Sequence, residues 1–252
     1  MHKPPSPVAD IAFCVAFFTR LPMVEFEARD RKLGDAIWAA PLAGLLVAII
    51  GAFVLTLASA FGVPRWPAAA LALAATMLAT GCLHEDGLAD VADGFGGGKT
   101  QERKLEIMRD SRLGTYGAAA LMLSVLARWS ALAEIGPSVD LLCALIAAHV
   151  GSRAVFAQLI RSTPLATQSG LAATVGPVSQ QTARLALGLG GVGLLFLGLW
   201  GAIWAAVFVA LVVFAFRALC LRQVGGLNGD TLGAAQQLAE ITILITASAI
   251  FF

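Results

Sequence analysis

The chain has 252 residues, of which 58% are hydrophobic and 13% charged, with a net charge of +1 and a mean hydropathy of +0.82. A soluble domain carries about 25% charged residues, so most of this chain is solvated by lipid. The near-neutral balance leaves no basic face to displace counterions, which excludes nucleic acid as a partner.

Four cysteines (Cys14, Cys82, Cys143, Cys220) stand far apart and form no CxxC pair, so neither a zinc knuckle nor a disulfide framework is indicated. The N-terminus lacks the small-residue cleavage pattern of a signal peptide and is expected to be retained. The apolar run Ile11–Phe18 is shorter than the roughly 20 residues a crossing needs, and is expected to form an interfacial or re-entrant helix. Seven candidate spans follow: Ala36–Gly62, Trp66–Leu83, Leu113–Ile135, Val139–Ile160, Arg184–Trp200, Ala202–Leu221 and Thr231–Phe252. Tight hairpins are expected at Val63–Arg65, Gly136–Ser138 and Trp200–Gly201; the fifth and sixth spans are either a hairpin or one distorted longer element. The fold class is therefore all-α: a polytopic membrane helical bundle, one domain over residues 1–252.

Numbering the loops alternately puts Lys3, Arg20, Arg29, Arg31, Lys32, Lys99, Arg103, Lys104, Arg109, Arg112, Arg161 and Arg222 on one side. Only Arg65 falls on the other, with Arg184 at the boundary. The positive-inside rule makes the first side cytoplasmic, with the N-terminus inside and the C-terminus outside. The polar stretches Leu21–Asp35, His84–Arg112, Arg161–Ala183 and Arg222–Asp230 share that side.

Chemistry concentrates in His84-Glu85-Asp86-Gly87-Leu88-Ala89-Asp90-Val91-Ala92-Asp93-Gly94, which places four carboxylates within nine residues. Such acids repel one another and are costly to keep ionised near a bilayer, so a cation is expected among them. Asp86, Asp90 and Asp93, at i, i+4 and i+7, share one helix face, and Glu85 can reach round its side. Hard oxygen ligands suit Mg²⁺, Mn²⁺ or Ca²⁺, and without EF-hand spacing Mg²⁺ shared with a pyrophosphate fits best. A solvated acidic helix end is the competing interpretation.

Gly96-Gly97-Gly98-Lys99-Thr100 looks like the tail of a phosphate-binding loop. Asp93 stands where that motif starts with glycine, and no strand precedes it, so a Walker A site is rejected. A backbone nest for phosphate and a flexible turn both stay open. Glu102–Asp110 has the pattern of a short amphipathic surface helix. Arg109 and Arg112 are phosphate clamps or positive-inside anchors. In Arg222–Thr231 the glycines permit close backbone approach, and Asp230 is an N-cap or a ligand contact. Within the spans lie Arg128, Arg153, Arg217 and Glu240. Arg153 and Glu240 sit at similar depth and are expected to pair, Arg217 to snorkel, and His149 to be a hydrogen-bonded packing residue rather than a ligand.

Asp90-x-x-Asp93-Gly94 resembles the core of the CDP-alcohol phosphatidyltransferase signature, but Phe95-Gly96-Gly97-Gly98 departs from it. The chain resembles the cobalamin synthase family (adenosylcobinamide-GDP ribazoletransferases) much more closely. The shared blocks are Phe18–Pro22, Pro41–Gly44, His84–Gly94, Leu105–Gly117 and Gly225–Ala234 with Glu240. Asn228 stands where Thr is commoner.

That resemblance implies an Mg²⁺-dependent enzyme at the bacterial cytoplasmic membrane. It joins adenosylcobinamide-GDP to α-ribazole, or its 5′-phosphate, and releases GMP. It further implies Glu85, Asp86, Asp90 and Asp93 as metal ligands and Asp86, Asp93 and Arg112 as catalytic residues, with Asp93 taking the hydroxyl proton. Arg20, Arg109, Asp110, Arg112, Asn228 and Asp230 would contact substrate. Membrane lipid is the expected environment, and a homo-oligomer or other nucleotide-loop enzymes are open partners. The rival from another class is a divalent-cation transporter, but such proteins place ion sites near the midplane of paired repeats, and no repeat is visible.

Overall fold

The computed structural model describes residues 6–22, 32–167 and 175–251. Lys3, Arg29 and Arg31 of the basic set, and parts of the polar stretches 21–35 and 161–183, lie outside the described residues, as does Phe252. Among the described residues the elements are α1 (Pro7–Phe18), α2 (Leu33–Ala36), a 3₁₀ turn leading into α3 (Ala40–Ala60), α4 (Arg65–Thr80), α5 (Leu83–Gly97), α6 (Gln101–Met108), α7 (Thr115–Ile135), α8 (Val139–Ser162), α9 (Gln180–Leu194), α10 (Gly198–Val224) and α11 (Gly229–Phe251).

Among the described residues five helical stretches are long and apolar enough to cross a membrane, and the bent pair α4–α5 passes the same test when its two helices are taken together. Their outer faces carry Phe53, Leu123, Val192, Leu211 and Phe214 exposed, as lipid solvation demands. The inner faces are lined by small residues such as Ala43, Ala48, Ala69, Ala72, Ala147 and Ala235, all buried. With no hydrophobic force between helices in lipid, close packing of small side chains holds the bundle.

The 45-residue stretch Gln180–Val224 turns back on itself. A Cβ on Gly193 would touch Val150 of α8, whereas Arg217, further along the chain, donates to the Ser162 carbonyl and the Thr163 hydroxyl at the end of α8. The chain therefore climbs along α8 and returns. The reversal falls at Leu195–Leu197 and Gly198, with φ +73° at Gly198, rather than at the expected Trp200–Gly201. Gly201 instead lies inside α10, against Ile250. Arg217 is bound to that helix end as well as being near the surface.

The expected second span is also corrected. α4 stops at Thr80, and the chain bends by 89° into α5. Gly81 and Cys82 make the bend with φ +63° and +57°, the left-handed region. The stretch that begins at His84 is a helix of its own up to Gly97, in keeping with the i, i+4, i+7 spacing of its acids. α5 packs between α7 and α11 and starts deep in the bundle. Glu85 meets Arg128 and Gln237, which lie roughly 20 Å and 12 Å along α7 and α11 at 1.5 Å per residue. Asp93, near the other end of α5, meets the first turn of α7. α6 is the expected short surface helix, capped by the Thr100 hydroxyl accepting from the Arg103 N–H.

Candidate active site

Residues i and i+1 on a helix point about 100° apart, so the neighbours Glu85 and Asp86 face different surroundings. Glu85 is buried and accepts a hydrogen bond from Arg128 at 2.8 Å. The same Arg128 nitrogen donates to Glu240 at 3.1 Å. Glu240 also receives Gln236 at 2.6 Å and lies 3.1 Å from His149 Nδ1. The expected Arg153–Glu240 pair is present but loose, at 3.9 Å, with Arg128 the nearer cation. His149 is buried and belongs to this network, the hydrogen-bonded packing residue that was expected. Two buried arginines balanced by two buried glutamates form a neutral network across α5, α7, α8 and α11, which is what tolerates these charges inside a bundle.

Asp93 is spent on another structural task. Its carboxylate accepts from the Gly114 N–H at 2.7 Å and the Gly117 N–H at 2.9 Å, capping the N-terminus of α7 from a distant helix. Glu85 and Asp93, placed among the metal ligands on sequence grounds, are therefore committed to a guanidinium and a helix end. Asp86 and Asp90 keep more open positions, exposed and half-buried respectively.

Asp230 joins these two. A Cβ on Gly87 would fall 2.7 Å from the Asp230 carbonyl oxygen, so α5 and the start of α11 touch backbone to backbone at that glycine. Asp86 and Asp230 line one cavity of about 260 Å³ together with Arg109 and Asn228. Among the described residues no three His, Cys, Asp or Glu side chains converge as a metal cage.

Asn228, not Asp230, caps α11. Its Oδ1 accepts from the Thr231 N–H at 2.9 Å, and the Thr231 hydroxyl accepts from the Asn228 N–H at 2.8 Å, a reciprocal box. The free Nδ2 donates to Asp230 at 2.9 Å. Asp230, released from capping, faces the cavity.

The remaining predicted site residues lie outside this cavity. Arg112 is exposed and folds back on Asp110, with Nε 3.0 Å and Nη2 2.5 Å from its carboxylate. Those hydrogen bonds hold the Asp110 carboxyl down at about 2. Arg20 covers the bend: its backbone N–H donates to the Ala79 carbonyl at 2.7 Å, and its side chain packs over Gly81.

The rest of the cavity was not anticipated. Phe17 and Phe18 of α1 and Phe156 and Ile160 of α8 form an aromatic and aliphatic wall, joined by His84. Phe18 and Phe156 stack at 5.2 Å with 6° between their planes, and His84 lies nearly parallel to both. In the sequence these rings are ordinary members of apolar runs; only Phe18, in the Phe18–Pro22 block, carried a signal.

An apolar helical bundle of this kind defines a multi-pass membrane protein, here with a cavity bearing carboxylates and an arginine. The chain matches the family model for cobalamin-5-phosphate synthase over residues 10–248, and it belongs to that family. It is 55% identical to the adenosylcobinamide-GDP ribazoletransferase of Mesorhizobium japonicum, covering 95% of this chain and 92% of that protein. Proteins of the same description from Bradyrhizobium diazoefficiens and Sinorhizobium medicae are 46% and 42% identical, over 96% and 93% of this chain and 94% of each relative. No solved structure matches it.

Proposed function

We propose that this protein is an adenosylcobinamide-GDP ribazoletransferase of the bacterial cytoplasmic membrane, working on the cytoplasmic side. It joins adenosylcobinamide-GDP to α-ribazole or its 5′-phosphate and releases GMP. Family membership over nearly the whole chain supports the activity. The observation that carries the site is a single cavity gathering Asp86, Arg109, Asn228 and Asp230, drawn from three separated sequence blocks.

The ribazole 5′-hydroxyl oxygen attacks the phosphorus attached to cobinamide. A new P–O bond forms, the bond to the bridging oxygen breaks, GMP leaves, and the hydroxyl proton passes to a carboxylate. Phosphoryl transfer of this kind is chiefly positioning and neutralisation of charge. Arg109 is the cation in the cavity that meets non-bridging oxygens. Asp86 and Asp230 are the carboxylates there that can take the proton, whereas Asp93 accepts from the Gly114 and Gly117 N–H groups outside the cavity lining.

The donor set fits Mg²⁺ in its usual mode, one or two carboxylates completed by water and substrate phosphate, rather than an all-protein cage. Asp86, with Asp90 or Asp230, would hold it, and the ion would supply neutralisation of the pyrophosphate.

The test is purified protein in lipid nanodiscs with both substrates and Mg²⁺. Formation of the joined cobamide and stoichiometric GMP, abolished by EDTA and by Asp86→Asn, is expected. Consumption of CDP-diacylglycerol instead, or full turnover without a divalent cation, overturns the proposal.

A further inference from the structure

The cavity has two kinds of wall. α5, the end of α6 and the start of α11 supply Asp86, Arg109, Asn228 and Asp230. α1, the turn after α2, α8 and α11 supply Phe17, Phe18, Ile37, Phe156, Ile160 and Leu232. We propose that the second wall is the acceptor subsite: it receives the flat, apolar base of the nucleoside and leaves the ribose 5′-hydroxyl at the carboxylates. This rests on the transferase activity proposed above and assigns one of its two substrates to a place.

Size and hydrogen-bonding capacity decide between the candidate occupants. A volume of about 260 Å³ is below that of typical pockets for drug-sized ligands, and a corrin macrocycle with its amide arms does not enter it. Guanine is small enough, but it carries donors and acceptors along most of its edge. Among the described residues the apolar wall offers it only His84 and Thr167 as polar side chains, fewer partners than its edge requires. A benzimidazole-type base is flat and apolar and has one free ring nitrogen. The nearly parallel Phe18, Phe156 and His84 rings pack on one another behind the half-buried Phe17, which makes this wall aromatic.

The experiment measures α-ribazole binding alone, then turnover with each substrate varied in turn, in nanodiscs. Phe156→Leu removes a ring, and Ile160→Trp fills the space. Both should weaken α-ribazole binding and raise its KM by about tenfold or more, as loss of a stacked base predicts. The KM for adenosylcobinamide-GDP should move by less than about threefold, which also certifies that the variants are folded. GMP should not compete with α-ribazole for the free protein. Wild-type protein that does not bind the nucleoside, variants that bind it normally, a KM rise confined to the corrinoid, or competition by GMP would each overturn the subsite. Saturable, ring-dependent nucleoside binding with no transfer to any corrinoid would sink the transferase proposal and leave the subsite standing.

Discussion

Glu85 lies 2.8 Å from Arg128 inside the bundle, whereas Asp86, one residue on, is exposed at the cavity. Their substitutions should separate stability from activity. Arg128→Met strands Glu85 and Glu240 without their main cation, and breaking a buried pair of this kind costs about 3–5 kcal/mol. Thermal unfolding in nanodiscs, followed by tryptophan fluorescence, should show a clear drop in Tm. Asp86→Asn should leave Tm unchanged and lower transfer by about 100-fold or more, the scale of removing a preorganised charge from a reacting centre. Asp93→Asn weakens the cap on α7 by about 1 kcal/mol and should keep activity within about tenfold. A folded but inactive Asp93→Asn protein would return that residue to the chemistry. Asp110 gives the pH case. Its pKa is depressed to about 2 by Arg112, so the pair's contribution is complete above the ordinary carboxylate pKa and lost only as pH falls through 2. Asp110→Asn should therefore leave the shape of the pH–rate profile unaltered between about pH 5 and 9, where Asp110 stays ionised.

At the scale of elements, the contact between α5 and α11 sets the cavity, and glycine sets the contact. Gly87→Ala would place a methyl 2.7 Å from the Asp230 carbonyl oxygen, and backbone cannot swing aside as a side chain can. The helices must part, so transfer should fall by about 100-fold while membrane insertion persists. Gly97→Ala, whose added Cβ meets only Ile107 at 3.5 Å, is the control and should be neutral or slightly stabilising. The same region shows what a sequence can carry. Hydropathy located the helices, and the i, i+4, i+7 spacing put Asp86, Asp90 and Asp93 on a helix, because both signals are local. The 89° bend at Gly81–Cys82 was hidden, since hydropathy counts residues without giving their direction. Arg128 lies 43 positions from Glu85, so which acid of the cluster turns inward is settled by tertiary packing. The aromatic wall escaped for a related reason: Phe17 and Phe156 belong to runs whose apolar character already had an explanation in lipid.

The whole molecule has two unlike ends. At one, α6 is tied to the end of α10 by Gln101 donating to the Val224 carbonyl at 2.7 Å and by a Lys104–Gln223 hydrogen bond. Pro164–Ala166 pairs with Leu227 there, and Asp86, Arg109 and Asp230 open at the same end. Lys99, Arg103, Lys104, Arg109, Arg112 and Arg222 all belong to these connections. At the other end are Arg65, the Trp66–Trp129 pair and the exposed Trp200, an arrangement that suits an interfacial aromatic belt. The positive-inside rule predicts that this basic end faces the cytoplasm. Two single cysteines test that orientation in intact cells, in a background with the four native cysteines replaced by Ala. Lys99→Cys at the basic end should resist a membrane-impermeant maleimide until the cells are opened. Pro137→Cys, exposed in the turn between α7 and α8, should react at once. The opposite pattern would put the carboxylate cavity outside the cell, away from its nucleotide substrate, and would invert the topology on which the proposed reaction depends.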